Sequence, residues 1–178
     1  PEQARYDWIM QRAAVSGTDL PKLVTEAMTA IEEAFEPLSG VLPKNYTALD
    51  NATIASLLRH INGYTKDLEG DAFGLVYEYF LANFALAEGQ GAGEFFTPAS
   101  IVRLIVEIIE PYHGRIYDPA CGSGGMFVHS AHFVERHKHS PGDELSIYGQ
   151  EKTGETVRLA RMNLAVHGLS GEIREGNS

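Results

Sequence analysis

The feature that most constrains this chain is a turn of small residues between a short apolar segment and an amphipathic helix. The turn reads Asp-Pro-Ala-Cys-Gly-Ser-Gly-Gly from Asp118 to Gly125, and residues 115–117 predict a buried strand before it. Its three glycines leave the backbone open to close approach by a ligand, because they carry no side chain. The first amides of the following helix face that gap, which predicts a binding cradle at the carboxyl end of a strand.

Strand and helix patterns alternate around and after this turn. We predict strands at 115–118, 145–150 and 172–176, and helices at 125–138 and 154–167. Strand–helix–strand units with short connections are typical of a parallel sheet. The second half of the chain is therefore predicted to be an α/β, Rossmann-like fold.

The first half of the chain has helical periodicity instead. Asp19, with a proline two residues later, predicts one helix start, and Asp50 predicts another. A third helix is predicted from about residue 71, with its aromatic residues in the core. A glycine cluster follows it, so we assign residues 1–88 to a helical N-terminal region and residues 89–178 to a nucleotide-binding region.

Thr97 and Pro98 predict the start of the helix that leads into the α/β region. Threonine is a common cap residue, and proline is favoured at the first helical position. Apolar residues at three- and four-residue spacing predict the buried face of this helix: Ile101, Val102, Ile105, Ile108 and Ile109.

The glycine turn by itself leaves several interpretations open. One interpretation is a plain strand-to-helix connection. Another is a dinucleotide-binding turn, but such turns have the pattern Gly-x-Gly-x-x-Gly, and the glycines here have the pattern Gly-x-Gly-Gly. The second predicted strand ends at Glu151, where a carboxylate can accept hydrogen bonds from both hydroxyls of a ribose. The helix start at Thr97 is expected at the same end of the sheet. Together these features favour an adenosine-containing cofactor.

Three motifs in this order resemble a known family. They are Gly-Glu-Phe-Phe-Thr-Pro at 93–98, the glycine turn with Met-Phe at 118–127, and Tyr-Gly-Gln-Glu at 148–151 followed by Arg-Leu-Ala-Arg-Met-Asn at 158–163. This combination resembles the modification (M) subunit of type I restriction–modification systems. The resemblance covers residues 65–178 and implies a Rossmann-like, S-adenosylmethionine-dependent methyltransferase fold preceded by a helical region.

The resemblance also implies cofactor-binding residues. The segment at 94–99 is similar to the one that closes over the methionine end of S-adenosylmethionine, and the glycine turn is similar to the one on which the cofactor lies. Glu151 matches the acid that binds the ribose. The complete implied set is Glu94, Phe95, Phe96, Thr97, Pro98, Ala99, Asp118, Gly122, Ser123, Gly124, Gly125 and Glu151.

The function implied by the resemblance is that of a cytoplasmic, site-specific DNA adenine-N6 methyltransferase subunit. Such a subunit works on double-stranded DNA together with a specificity subunit and a restriction subunit. The family's catalytic motif, Asn/Asp-Pro-Pro-Tyr/Phe, does not occur in this sequence. We therefore expect a truncated or partly ordered chain that holds no catalytic residue and binds cofactor without methylating DNA.

Three other functions stay open at this point. One is a stand-alone or fused amino-DNA methyltransferase with the same motifs. Another is a non-catalytic assembly piece whose helices dock a specificity subunit. The last is a nicotinamide-dependent dehydrogenase, which the glycine spacing disfavours.

The charge of the chain bears on how it could meet DNA. The net charge is −10; residues 1–93 carry six Lys/Arg and 13 Asp/Glu, and residues 94–178 carry eight and 11. Affinity for a phosphate backbone depends on lysine and arginine. We therefore expect a partner, or a segment missing from this sequence, to supply most of the affinity for DNA. No apolar run approaches the ~20 residues that a membrane-spanning helix needs.

Two kinds of residue could be mistaken for reactive or metal sites. Cys121 is the only cysteine, and its place inside the glycine turn favours a small buried filler over a nucleophile. Four histidines lie between positions 129 and 139, but only two share a helix face, and no neighbouring acid or cysteine completes a tetrahedral set. We predict no metal site.

Overall fold

The computed structural model describes most of the chain, namely residues 1–64, 72–87, 97–137 and 139–177. Its internal contacts divide the chain into two compact units, Pro1–Gly70 and Asp71–Ser178.

The first unit is helical, as predicted. It contains α1 (Tyr6–Ala13), α2 (Leu20–Ala34) and α3 (Asn51–Tyr64), with a short 3-10 turn before α1 and two more between α2 and α3. The carboxylate of Asp19 accepts a hydrogen bond from the Lys22 amide at 3.1 Å, which caps α2. Asp50 accepts one from the Thr53 amide at 2.7 Å at the start of α3. The apolar faces of the three helices form one core of Ile9, Leu20, Leu23, Val24, Ala27, Ile54 and Leu58.

The second unit contains five helices and three strands in its described residues. The helices are α4 (Ala72–Ala87), α5 (Ala99–Ile109), α6 (Gly125–Arg136), α7 (Pro141–Glu144) and α8 (Gly154–Val166), and the strands are β1 (Gly114–Asp118), β2 (Leu145–Glu151) and β3 (Gly171–Glu175). All of the predicted strands and helices around the glycine turn are confirmed to within two residues.

The three strands form one parallel sheet in the order β1-β2-β3. Ile116 lies opposite Ile147, and Asp118 lies opposite Gly149. Because the strands are parallel, Asp118 at the end of β1 and Glu151 at the end of β2 share one edge of the sheet. This parallel arrangement is the one that the alternation of strand and helix patterns predicts.

Helices α6 and α8 supply the core beneath the sheet. Phe127 and Val128 of α6 are completely buried, and so is Ala160 of α8. They pack with one isoleucine from each strand, in a cluster that comprises Cys121, Phe127, Val128, Ala131, Ile147, Val157, Ala160, Leu164, Leu169 and Ile173, with Ile116 packed against it.

Helix α5 corrects two expectations. It begins at Ala99, with Pro98 in the N-cap position and no side-chain capping bond, so Thr97 is not the cap. Its buried residues are Val102 and Val106, which pack with Phe133 of α6. Because α5 meets α6 along this one line, the flanking apolar residues stay exposed, with exposed fractions of 49% at Ile101, 73% at Ile108 and 65% at Ile109.

Helix α4 lies with the second unit. The hydroxyl of Tyr77 donates to the Leu159 carbonyl of α8 at 3.4 Å, and Leu81 is buried. The contacts therefore place α4 in the second unit, which begins at residue 71, whereas the sequence predicts a boundary between residues 88 and 89. Phe80, one of the aromatic residues of α4 expected in the core, is exposed, because only one side of the helix faces α8.

No helix in the described ranges has both the length and the apolar character needed to cross a membrane.

Replacement of Gly149 is expected to destabilise the second unit. A β-carbon there would lie 2.7 Å from Ile173 Cδ1, 3.0 Å from Cys121 Sγ and 3.1 Å from Phe127 Cε2. Overpacking of this kind costs about 1–3 kcal/mol, so Gly149→Ala should lower the thermal melting temperature. Gly142→Ala is the control, since its β-carbon would meet nothing within 4 Å. Equal melting temperatures for the two variants would contradict this prediction.

Candidate cofactor-binding site

The turn after β1 has a backbone that depends on its glycines. Gly122 has a φ of +54° and Gly124 has a φ of +82°, a left-handed region that other residues adopt at a cost. The Asp118 carboxylate accepts a hydrogen bond from the Ala120 amide at 2.9 Å, and the Gly124 amide donates to the Cys121 carbonyl at 2.8 Å. The turn is thus closed by its own bonds immediately before α6 begins at Gly125.

Glu151 joins the end of β2 to this turn. Its Oε2 accepts a hydrogen bond from the Gly122 amide at 3.0 Å, and its Oε1 accepts one from the Lys152 amide at 2.7 Å. Beside them, the Cys121 amide donates to the Gln150 carbonyl at 3.0 Å. Each carboxylate oxygen keeps a further lone pair. The carboxylate is therefore held in place and can still accept hydrogen bonds from a ligand.

Asn163 of α8 supports the turn from below and has no assigned role in the sequence analysis. Its Nδ2 donates to the Ser123 carbonyl at 3.0 Å, and its side chain is 1% exposed. Its Oδ1 is buried and has no hydrogen-bond partner in the described part of the chain. The sequence feature that could have indicated this role is an amide side chain at a buried position of α8, next to Leu164.

A cavity of about 270 Å³ lies against the turn. One side is formed by the turn and α6, and the other by α4 together with the start of α5. The cavity is lined by six of the implied cofactor-binding residues, which are Thr97, Ala99, Asp118, Gly122, Ser123 and Gly125. A β-carbon added to Gly125 would meet nothing within 4 Å, so open space lies over the backbone there.

Of the other implied residues that the structure describes, Pro98, Gly124 and Glu151 are not part of this lining. Glu151 lies beside it through its bond to Gly122, and Gly124 packs against Ala160 of α8, 3.7 Å from a β-carbon placed on it. Pro98 caps α5. Glu94, Phe95 and Phe96 lie outside the described residues.

A comparison with protein-family models gives a match over residues 68–178 to the family described as N-6 DNA Methylase. The chain belongs to this family. Among curated proteins, the methylase subunit of the type I restriction enzyme HindI from Haemophilus influenzae is 39% identical over the whole chain, which spans 45% of that relative. The MjaIX methylase subunit from Methanocaldococcus jannaschii is 36% identical, and the chain spans 32% of it.

Solved structures agree on the fold of this methylase-family chain. The type I restriction–modification methyltransferase subunit from Streptococcus thermophilus matches with a TM-score of 0.78 at 21% identity, covering 98% of this chain and 39% of that one. A class I S-adenosylmethionine-dependent methyltransferase from Listeria monocytogenes, described as putative, matches with a TM-score of 0.57 at 14% identity, covering 98% and 52%. The fold is therefore that of S-adenosylmethionine-dependent methyltransferases, as the motifs imply.

In this N-6 DNA methylase chain, the described lining of the cavity carries a net negative charge. Its described lining includes the carboxylates of Glu78 and Asp118 and no lysine or arginine. His129 also lines it, and burial lowers the pKa of that imidazole, with Glu78 opposing the shift and Arg103 and two further histidines adding to it. This shift disfavours the charged form of the imidazole. The net negative charge suits a positively charged ligand group.

Cys121 lies under the turn, as expected for a buried filler. Its side chain is 6% exposed. Burial, with smaller contributions from Asp118 and Glu151, raises the pKa of the thiol to about 12. A thiol is nucleophilic only as the thiolate, so Cys121 has no catalytic character here. The described residues hold no group of three or more metal-ligating side chains.

We expect Cys121 to be inert to alkylation in the folded chain. Its raised pKa keeps the thiolate fraction at pH 8 very small, and burial blocks the reagent. Alkylation by iodoacetamide, followed by mass spectrometry, should be at least about a hundredfold slower than in guanidinium-unfolded chain, where the pKa returns to ~8.5. Similar rates in the two states would contradict this prediction.

Proposed function

We propose that this chain is the cofactor-binding part of a type I restriction–modification M subunit and that its cofactor is S-adenosylmethionine. One observation carries the proposal: the Gly122 amide holds the Glu151 carboxylate at 3.0 Å, which joins two sequence motifs of the N-6 DNA methylase family. A carboxylate at the end of the second strand, beside a glycine turn, is suited to ribose hydroxyls.

The residues at the site fit the cofactor. We assign Glu151 to the ribose, and the backbone at Gly125 has open space over it that the cofactor can occupy. The cavity of about 270 Å³ is just below the ~300–1,000 Å³ usual for small-molecule sites. It therefore suits the amino-acid end rather than the whole molecule. S-Adenosylmethionine supplies a methyl group on a positively charged sulfur, and the negative cavity suits that charge.

The proposed reaction is methyl transfer to the N6 amino group of adenine in double-stranded DNA. It is supported by the family match and by relatives described as methylase subunits of type I restriction enzymes. The chain spans less than half the length of these relatives, so the proposed reaction also requires residues outside this sequence. It also requires the specificity and restriction subunits, which would supply the DNA contacts that this acidic chain lacks.

Calorimetric titration of the chain with S-adenosylmethionine tests the cofactor assignment. We expect saturable binding by the wild-type chain and at least about tenfold weaker binding by Glu151→Gln. The substituted amide would turn an N–H group toward one of the backbone amides that the carboxylate now accepts, and an unmatched buried hydrogen bond costs about 1–3 kcal/mol.

The matched control is Glu155→Gln. Glu155 is exposed in the first turn of α8, so this variant loses the same charge four residues away and should bind like the wild type. Melting curves of all three proteins show whether the fold is kept. Binding of NAD⁺ in place of S-adenosylmethionine would instead favour the dehydrogenase interpretation.

The identity of the methylated base can be measured on the complete complex. DNA treated with the assembled M and specificity subunits and labelled S-adenosylmethionine is digested to nucleosides and separated. We expect label in N6-methyladenine, and a strong loss of label when the M subunit carries Glu151→Gln. Label in N4-methylcytosine would contradict the adenine assignment while leaving the cofactor assignment intact.

A further inference from the structure

Glu78 is a charged residue in the described lining of the cavity that lies outside every motif described above. It belongs to α4 and lines the cavity together with residues of the glycine turn, Thr97 and Asn163. Its charge acts on His129, whose pKa it raises against the larger effect of burial. A half-buried carboxylate in a cavity with no lysine or arginine in its described lining has the character of a binding group for a cation.

Asn163 provides a second, independent observation at this cavity. The Ser123 carbonyl can only accept, so the atom that faces it at 3.0 Å must be the amide nitrogen. The other amide atom is therefore an oxygen, and it is buried without a partner in the described residues. A buried acceptor without a donor is unfavourable, and Asn163 lines the same cavity as Glu78.

The packing of α4 on α8 brings these two groups to one place. The Tyr77 hydroxyl donates to the Leu159 carbonyl at 3.4 Å, and this hydroxyl is largely buried, which raises its pKa to about 12. Leu159 and Asn163 are one helical turn apart, so they lie on the same side of α8. Glu78, the next residue of α4, lines the same cavity as Asn163.

We infer that Glu78 binds the α-ammonium group of the methionine portion of the cofactor, with the Oδ1 of Asn163 as a second acceptor. This rests on the proposed function. An ammonium has three N–H donors and a full positive charge, which matches a carboxylate and an unpaired carbonyl oxygen in one cavity. The α-carboxylate of the same ligand would be repelled from this wall, so Glu78 sets the orientation of the amino-acid end.

The test compares two ligands that differ only at this amino group. S-Adenosylhomocysteine and its deaminated analogue, in which hydrogen replaces the ammonium, are titrated calorimetrically into the wild-type chain and into Glu78→Gln. We expect Glu78→Gln to weaken S-adenosylhomocysteine at least about tenfold, because a charge-assisted hydrogen bond is lost. The deaminated analogue should bind both proteins within about twofold, since it never makes that bond.

Controls separate this inference from a general effect on the fold. Glu135→Gln removes the same charge from an exposed position of α6 and should leave both affinities unchanged. Glu78→Asp, which keeps the charge, should recover part of the binding. Melting curves report on the stability of each variant.

The outcomes distinguish the inference from the function on which it rests. Equal weakening of both ligands by Glu78→Gln, or no weakening of either, would overturn the ammonium assignment while the proposed function stands. Failure of the wild-type chain to bind S-adenosylhomocysteine and S-adenosylmethionine would overturn both. A tenfold loss confined to the ligand with the ammonium group would establish the role of Glu78.

Discussion

The hydrogen bond from the Gly122 amide to the Glu151 carboxylate is the contact on which the site depends. It requires two separate things of the chain. The parallel register must bring the ends of β1 and β2 together, with Asp118 opposite Gly149. The backbone at Gly122 must also adopt a φ of +54°, so that its amide reaches a carboxylate 29 residues away in sequence. Without the parallel register, or without this backbone conformation at Gly122, the loop and the acid would not form one binding edge.

The same turn is continuous with the hydrophobic core. Cys121 is part of the turn and its side chain belongs to the core cluster, and Gly149 of β2 provides the space that Cys121, Phe127 and Ile173 occupy. Because the residues under the turn are completely or almost completely buried, the turn rests on a surface that cannot shift without disturbing the sheet. Dense packing of this kind transmits displacement rather than absorbing it. The stability of the fold and the geometry of the site are therefore linked.

Predictions from the sequence were most accurate for features that depend only on residues close together in the chain. The helix caps at Asp19 and Asp50 and the alternating strands and helices follow from residue type and spacing. The buried face of α5 was not predictable in this way. Its sequence is apolar on several sides, and only packing against α6 decides that Val102 and Val106 are buried while Ile108 is exposed. For the same reason, spacing did not identify which side of α4 faces α8.

By itself, the sequence determined the family, the parallel α/β order and the pairing of a glycine turn with Glu151, because motifs and periodicity are local properties that one chain displays. Tertiary structure alone decided which other groups reach the cavity. Asn163 and Glu78 come from α8 and α4, 40 and 45 residues from Ser123 in sequence. They line one cavity with the turn, and the Tyr77 hydroxyl makes one of the contacts between α4 and α8. The burial of Asn163, and the absence of a partner for its Oδ1 among the described residues, result from tertiary packing and cannot be read from sequence spacing.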